Sequence, residues 1–299
     1  MTGAEHFALP PSWEWWILGY FFLGGLAGGS YAIGTLLRIA GGVADQTAAR
    51  IAYVASFLAL VPCPIFLTLD LGQPLRFYHM LFDTSEGGLA FKYWSPMSVG
   101  AWALLVFGLF SFVSFLAAIA ELRWVRWTVT DRIAAGLSRG AGIVWGVVGT
   151  VFGLFIAGYT GVLLAVSNQA VWSDAGWVLG GMFLASALSG SAAMLLLLAR
   201  SRRDVAAGTA LRIEMADRNF VILEAVLIVL FLASVAVAGT ITRMLGVWLV
   251  LWLVVLVGLA APFLAMRTRA LATSPAIAPI LALLGVLALR AVVIFAPQL

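Results

Sequence analysis

Residues 219 to 240 read NFVILEAVLIVLFLASVAVAGT, and Glu224 is the one charged residue among them. A helix that crosses the hydrocarbon core of a bilayer needs roughly 20 consecutive residues that are mostly apolar. This stretch is long enough and apolar enough to meet that requirement. It therefore predicts a transmembrane helix, and it sets the pattern to look for in the rest of the chain.

Seven further stretches have a similar length and composition: residues 15 to 38, 51 to 69, 97 to 120, 142 to 166, 176 to 199, 246 to 266 and 276 to 296. The 299-residue chain is 63% hydrophobic and 10% charged, whereas a soluble domain is only about half apolar. We predict an all-α polytopic protein with about eight transmembrane helices. Residues 1 to 299 form one integral membrane domain, in which helices one to four (15 to 166) and five to eight (176 to 296) make two bundles.

The basic residues are distributed unevenly over the predicted connections. Thirteen follow helices one, three, five and seven: Arg38, Arg50, Arg123, Arg126, Arg132, Arg139, Arg200, Arg202, Arg203, Arg212, Arg218, Arg267 and Arg269. The other side has three, Arg76, Lys92 and Arg243. The positive-inside rule then places both termini on the outer, periplasmic side. The basic pI of 9.6 is explained by this topology, and it does not indicate nucleic acid as a partner.

Histidine and cysteine are too few for a bound redox metal. The chain has His6 and His79, both outside the predicted helices, and the single cysteine Cys63. A membrane haem of the b type is held by histidines on facing helices, and an iron–sulfur cluster needs about four cysteines. We therefore expect no metal, haem or iron–sulfur cluster in this chain. A redox function would need a diffusible cofactor and a second protein subunit.

Polar residues inside a bilayer are costly, so they are candidates for function. On the outer side they are Tyr20, Asp70, Tyr159, Thr160, Arg243 and Arg290. Tyrosine hydroxyls can donate hydrogen bonds to the carbonyl oxygens of a quinone, and a carboxylate can exchange the protons of a quinol. Each residue alone also has an ordinary explanation, because tyrosines pack, Asp70 ends a helix and Arg290 can extend to the interface. Glu224, in the inner half, can pair with Arg218.

The longest predicted connection, residues 70 to 95, lies on the outer side. Pro74 can begin a short helix on which Arg76, His79 and Asp83 share a polar stripe. Its other residues are apolar, which is typical of a helix lying in the membrane interface. The segment is either a docking surface for another subunit or a plain interfacial anchor.

Small residues are concentrated in helices one and four. Helix one has the pairs Gly24 with Gly28 and Gly25 with Gly29, and helix four has Gly142, Gly146, Gly149 and Gly153. Glycines at this spacing let two helix backbones approach closely in a membrane. We predict that these two helices lie in the interior of a bundle.

Four segments carry a resemblance to a known family: YFFLGGLAGGS at residues 20 to 30, LDLGQPLRF at 69 to 77, WSPMSVGAW at 94 to 102 and YTGVLL at 159 to 164. Together they resemble the NrfD family, which includes the membrane subunit of polysulfide reductase. The matching segments lie in helices one to four. The later helices match in number and hydropathy.

The resemblance implies a quinone-binding anchor of eight helices in the lipid of a bacterial inner membrane, with menaquinone or ubiquinone as its cofactor. It also implies an outer iron–sulfur subunit of the four-cluster ferredoxin type, with a molybdopterin catalytic subunit beyond it. The chain itself would then not act on the terminal substrate. Some members bond the quinone through an Asn or His near the start of helix one, where this chain has Glu14 among three tryptophans.

We assign the quinone site to the outer half of helices one to four. Asp70 and Tyr159 are the candidate catalytic residues. The candidate quinone contacts are Glu14, Tyr20, Asp70, Arg76, His79, Tyr159 and Thr160.

Two other functions remain open from the sequence. A transporter could use a proline-broken helix such as the one at Val61 to Pro64, but it would be expected to have a second one in the other half. A purely structural anchor would bind no quinone. The sequence shows few polar residues between Glu224 and Asp70, so we expect quinol turnover to be electroneutral.

Overall fold

A computed structural model of the chain describes residues 12 to 83, 87 to 138, 140 to 267 and 275 to 298. Within these ranges, eight helical spans are long and apolar enough to cross a membrane: Trp15–Ala40, Val43–Asp70, Pro96–Glu121, Gly140–Ala165, Trp177–Arg200, Ala207–Val237, Gly246–Ala265 and Ile277–Gln298. The prediction of a helical polytopic fold with about eight spans is therefore confirmed.

The helices are α1 (Trp15–Ala40), α2 (Gln46–Leu60), α3 (Pro62–Asp70), α4 (Pro96–Glu121), α5 (Thr128–Leu137), α6 (Gly140–Ala165), α7 (Trp172–Ala175), α8 (Trp177–Arg200), α9 (Ala207–Val237), α10 (Leu249–Arg267) and α11 (Ile277–Phe295). A 3₁₀ helix (Pro74–Met80) and a hairpin of β1 (Phe82–Asp83) and β2 (Gly88–Leu89) connect α3 to α4. The second span consists of α2 and α3. Val61 between them keeps helical backbone angles, so α3 continues α2 through the prolines.

Helix α1 lies at the centre of the bundle and packs against α2, α3, α6, α8 and α11. Its two glycine pairs face different neighbours. A side chain on Gly28 would overlap the Gly153 carbonyl of α6, whereas a Cβ on Gly25 would lie 2.8 Å from the Arg290 guanidinium. The helices predicted as one and four are α1 and α6, and they approach closely at these glycines. The prediction that both lie in the interior holds for α1, whereas α6 has an exposed face with Val144 and Val151.

Both described termini lie at the same end of the bundle. The Trp13 backbone N–H donates to Gln298 Oε1 at 2.8 Å, and Gln298 Nε2 donates to the Trp13 carbonyl at 3.3 Å. We call this the terminal end, and the opposite end, with Arg38, Arg50 and Arg212, the arginine-rich end. The assignment of the arginine-rich end to the cytoplasm remains a prediction of the positive-inside rule. Arg139 and Arg269, which contribute to that rule, lie outside the described residues.

Ion pairs join the helices at the arginine-rich end. Glu121 of α4 accepts hydrogen bonds from Arg38 of α1 at 3.4 Å and from Arg50 of α2 at 2.6 Å. Asp45, which is fully buried, pairs with Arg212 of α9 at 2.9 Å. These arginines therefore hold helix ends together, and they also belong to the uneven distribution of charge on which the topology prediction is based.

The expectation for the connection between α3 and α4 is corrected. The short helix begins at Pro74 as predicted but ends at Met80, and Asp83 lies in β1. Because a 3₁₀ helix has three residues per turn, Arg76 and His79 share a face, but Asp83 does not join it. Trp172 of α7 is fully buried, and its indole N–H donates to the Val293 carbonyl at 2.6 Å.

Candidate functional site

Tyr20, Cys63 and Tyr159 meet in the interior near the terminal end, on α1, α3 and α6. The Tyr159 hydroxyl donates to the Pro96 carbonyl at 2.5 Å, which joins α6 to the start of α4. The Cys63 thiol donates to the Ala59 carbonyl of its own span at 3.5 Å. Among the described residues no acceptor takes the Tyr20 hydroxyl, so Tyr20 keeps a hydrogen bond to offer a ligand.

Asp70 and Glu14 form a second pair, nearer the membrane surface. Asp70 ends α3 two helical turns beyond Cys63, so both lie on the face of α3 that meets α1. Glu14 is the charged neighbour of Asp70. Asp70 is half-buried, and within the described ranges its carboxylate has no hydrogen-bond or ion-pair partner. It is therefore available to a ligand.

An aromatic layer separates the two pairs. The rings of Trp16 and Phe66 lie 5.8 Å apart between α1 and α3, and a Cβ on Gly19 would lie 2.8 Å from the Phe66 ring. Flat aromatic surfaces with polar groups on either side suit a planar ligand that has two polar oxygens.

The other candidate contacts lie in different surroundings. Thr160 is buried, and its hydroxyl donates to the Ala157 carbonyl of its own helix at 3.2 Å. Arg76 and His79 are exposed on the 3₁₀ helix, where the His79 ring stacks on Tyr78 with 4.4 Å between the centroids. The structure thus brings together Tyr20 with Tyr159 and Glu14 with Asp70. It places Thr160, Arg76 and His79 apart from those pairs.

An apolar groove of about 810 Å³ runs along the other face of α3. Its walls are α2, α3, α4 and the 3₁₀ helix, and it extends from Phe57 to Leu71 and Phe77 at the terminal end. At about 1.5 Å per residue, the distance from Phe57 to Leu71 is roughly 20 Å. Sequence reasoning missed this groove, because three separate segments form it and none has a motif of its own.

A second polar site lies deeper, around Arg290 of α11, which is 0% exposed. Arg290 Nε donates to the Phe21 carbonyl at 3.2 Å, Nη2 to the Phe183 carbonyl at 3.2 Å and Nη1 to Ser186 Oγ at 2.7 Å. The interpretation that Arg290 extends to the membrane interface is wrong. The absent side chain of Gly25 leaves room for the guanidinium between α1 and α8.

Glu224 of α9 lies beside this arginine and is 2% exposed. Its carboxylate accepts a hydrogen bond from Ser189 Oγ at 2.5 Å. The suggested pairing of Glu224 with Arg218 is wrong, because Arg218 bonds Glu214 one turn away at 3.1 Å.

Asp217 is a further buried carboxylate that sequence reasoning missed. It is 2% exposed, and its Oδ1 atom has no hydrogen-bond partner. The predicted span began at residue 219, whereas α9 begins at Ala207. The seven-residue spacing from Asp217 to Glu224, which puts both on one helix face, is the signal that could have found it.

In the described part of the chain, no three His, Cys, Asp or Glu side chains are grouped so as to hold a metal ion.

At the arginine-rich end, outside the spans, the hydrogen bonds from Arg202 hold the pKa of the Asp204 carboxyl below its usual range. Asp204 is thus an exposed, charged carboxylate far from the terminal end, and it is useful as a control.

Known proteins resemble this chain over part or nearly all of its length. The family model described as "Polysulphide reductase, NrfD" matches residues 5 to 299. The chain is also similar to a selenate reductase subunit of Mesobacillus selenatarsenatis, with 27% identity over 111 residues. That match covers 37% of this chain but only 23% of the length of the relative.

Proposed function

Since the chain belongs to the polysulphide reductase NrfD family, we propose that it is the quinone-binding membrane subunit of a multi-subunit oxidoreductase. The similarity to a selenate reductase subunit supports a place in a reductase complex. In the proposed function, the chain exchanges electrons between a membrane quinone and an iron–sulfur subunit at the terminal end. The terminal substrate is reduced or oxidised by another subunit.

The observation that carries the proposal is the apolar groove along α3, which reaches the end of the bundle where Glu14 and Asp70 lie. A quinone has a long isoprenoid tail and a planar head with two carbonyl oxygens. Its binding site needs an apolar surface open to lipid and a few converging polar groups. The groove suits the tail. It ends at Leu71, the residue after Asp70, so a head group bound past the end of α3 can reach Asp70 and the aromatic layer.

The polar residues then have separate roles in the reaction. Oxidation of a quinol releases two electrons and two protons, and reduction of a quinone takes them up. Asp70 is half-buried and free of protein partners among the described residues, so it can exchange a proton with the quinol hydroxyl and pass it to Glu14 and water. The Tyr20 hydroxyl can donate to a quinone carbonyl oxygen. The Tyr159 hydroxyl donates to the Pro96 carbonyl and so positions α4. It can bond the head group only if it gives up the hydrogen bond to Pro96.

The connection from Pro74 to Trp94 is the surface we propose for the iron–sulfur subunit, of the four-cluster ferredoxin type, with a molybdopterin catalytic subunit beyond it. Arg76 and Lys92 are exposed on this connection. Near its end the connection is anchored on α4 at Ala90, because Ser98 Oγ and Trp102 Nε1 both donate to the Ala90 carbonyl at 3.2 Å. A surface that is ordered before binding loses less entropy when a partner docks.

A transporter receives less support. The helical backbone continues through Val61 and the prolines between α2 and α3, and α10 continues through Pro262 from Leu249 to Arg267, so the described residues show no pair of interrupted helices. Alternating access in such folds normally uses a pair of interrupted helices in corresponding positions.

The substitution Asp70→Asn tests the proposal. Loss of a general acid or base costs about 10²-fold or more in rate, so quinol oxidation by the purified complex should fall at least to that extent. The complex should stay assembled, because Asp70 makes no described hydrogen bond or ion pair. The rate is measured with a soluble electron acceptor over a range of quinol concentrations.

Asp204→Asn removes an exposed carboxylate at the opposite end, so it should leave the rate unchanged. Normal turnover in Asp70→Asn would move the quinone site away from α3. If the wild-type complex neither binds nor oxidises quinol, the proposed function is wrong and the chain is a structural anchor.

A further inference from the structure

Three buried ionisable residues outside the quinone site form a series through the second half of the bundle. Asp217 and Glu224 lie on one face of α9, seven residues or about 10 Å apart along the axis, and Arg290 of α11 lies beside Glu224. All three are at most 2% exposed. Because charges inside a membrane protein are costly, such a series calls for a function.

Two serines of α8 connect Glu224 to Arg290. Ser189 Oγ donates to the Glu224 carboxylate at 2.5 Å, and Ser186 Oγ accepts a hydrogen bond from Arg290 Nη1 at 2.7 Å. Ser186 also interacts with the Glu224 carboxylate. Hydroxyls both donate and accept hydrogen bonds, so they can pass a proton along. Polar side chains therefore follow one another from α9 across α8 to α11, with Ser186 near Glu224 and hydrogen-bonded to Arg290.

A small void lies beside Glu224, enclosed by residues of α8, α9, α10 and α11. Its volume is about 10 Å³, and Ser189, Glu224 and Val221 are among its walls. Val221 is four residues after Asp217 and three before Glu224, so it lies between the two carboxylates on the same helix face. The void is close to the roughly 10–15 Å³ that one water molecule needs, and it has two polar partners to hold that water.

Asp217 leads from this void to the arginine-rich end. Its charged neighbours are Glu224, Glu214, Arg218 and Arg200. Glu214 pairs with Arg200 at 2.9 Å and with Arg218 at 3.1 Å, and these side chains are each about one-quarter exposed. Asp217 thus lies between the buried series and charged groups that reach the membrane surface.

We propose that Asp217, Glu224, Ser189 and Ser186 form a proton-transfer route from the arginine-rich end to the middle of the bundle. Arg290 lies where the route ends, and its positive charge stabilises the negative charge of a deprotonated Glu224. A purely structural role as counter-ion to Arg290 accounts for Glu224. It does not account for Asp217, whose Oδ1 atom is buried without a hydrogen bond. Arg290 in turn bonds the carbonyl of Phe21, the residue after Tyr20, so the route ends beside the quinone-site helix.

The inference rests on the proposed quinone function and changes its energetics. Reduction of a quinone takes up two electrons and two protons, and quinol oxidation returns both. The electrons are exchanged with the partner at the terminal end, and protons that Asp70 and Glu14 exchange with water at that end move no charge. Each proton that travels along the proposed route is exchanged at the arginine-rich end instead. Turnover then moves charge across the membrane, in place of the electroneutral turnover that the sequence favours.

The test uses the purified complex in sealed vesicles, with electron transfer and membrane potential recorded together. The wild type should develop a potential during turnover. Glu224→Gln and Asp217→Asn should each lose most of the charge moved per electron. Part of the electron transfer should persist, because Asp70 and Glu14 can exchange protons at the terminal end. Asp217→Asn is included because it breaks no hydrogen bond of Oδ1, so it should fold even if Glu224→Gln does not.

The outcomes separate the two proposals. A wild-type complex that oxidises quinol without a potential overturns the proton route and leaves the quinone function in place. Unchanged charge per electron in Asp217→Asn overturns the route as well. A wild-type complex without any quinol oxidation overturns the proposed function, and the route with it. Asp204→Asn, off the route at the same end, should behave like the wild type.

Discussion

Arg290 is held in the interior by acceptors from two neighbouring helices, the Phe21 carbonyl on α1 and the Phe183 carbonyl and Ser186 hydroxyl on α8. Its guanidinium also lies 5.2 Å from the centroid of the Phe183 ring. The planar fork of arginine can satisfy several acceptors at fixed angles, which a lysine ammonium cannot reproduce. The side chain therefore joins α1, α8 and α11 and supplies the positive charge near Glu224.

Removal of this charge should destabilise the protein through Glu224. Breaking a direct buried ion pair from one side costs about 3–5 kcal/mol, because the remaining charge is left uncompensated. Arg290 and Glu224 make no direct ion pair, so the charge contribution here should be smaller, and the lost hydrogen bonds of Arg290 add to it. We expect Arg290→Met to lower the Tm in detergent strongly. The double variant Arg290→Met with Glu224→Gln should be more stable than Arg290→Met alone, because no lone carboxylate remains. Strictly additive changes in the double-mutant cycle would show that the two residues are not coupled.

Helix α1 is the element on which both halves of the bundle pack. Gly24 and Gly28 face Ile156 and Gly153 of α6, whereas Gly25 and Gly29 face Arg290 and α8. A helix with small residues on two faces can approach two neighbours closely, and close approach supplies much of the packing energy between helices in lipid.

The same substitution at two glycines tests this packing. Gly28→Ala would place its methyl group against the Gly153 carbonyl of α6, so the helices must separate. Overpacking of this kind costs about 1–3 kcal/mol. Gly108→Ala, on α4, meets no atom within 4 Å and adds only the higher helix propensity of alanine. Thermal unfolding in detergent should show a lower Tm for Gly28→Ala and none of that loss for Gly108→Ala; equal Tm values would contradict the tight crossing.

The sequence predicted the presence of each transmembrane helix better than it predicted the helix length. Helix α9 begins at Ala207, twelve residues before the predicted start, because its first turns contain Arg212, Glu214 and Asp217. A hydropathy pattern ends where charges begin, although the backbone hydrogen bonds continue. For that reason the predicted span did not include Asp217. The seven-residue spacing from Asp217 to Glu224, which points to the buried series, was therefore missed as well.

For the molecule as a whole, hydropathy predicted the number of spans, and glycine spacing predicted the interior position of α1. Neither pattern could predict which polar side chains meet. Tyr20 with Tyr159 and Glu14 with Asp70 are brought together by helix packing, and so is Arg290 with Glu224. Such contacts depend on rotation of each helix about its axis, which an apolar stretch with no clear polar face leaves undetermined.

The connection from Pro74 to Trp94 at the terminal end combines exposed apolar side chains with two cations. Leu75, Leu89 and Tyr93 are 89%, 67% and 77% exposed, and Arg76 and Lys92 lie among them. An apolar centre with charges around it is the usual composition of a protein–protein interface. The interfacial-anchor alternative would instead place these apolar residues in lipid.

Reversal of both charges, Arg76→Glu with Lys92→Glu, should release the iron–sulfur subunit and leave the membrane helices folded, because both residues are exposed. Charge reversal at an interface mainly slows association and changes its salt dependence, so the loss should be greatest at low salt. Co-purification of the subunits at several salt concentrations measures it. Arg243→Glu changes the charge at the same end, after α9, and should keep the partner bound. If the double variant retains the partner and Arg243→Glu releases it, the docking surface lies over the second half of the bundle.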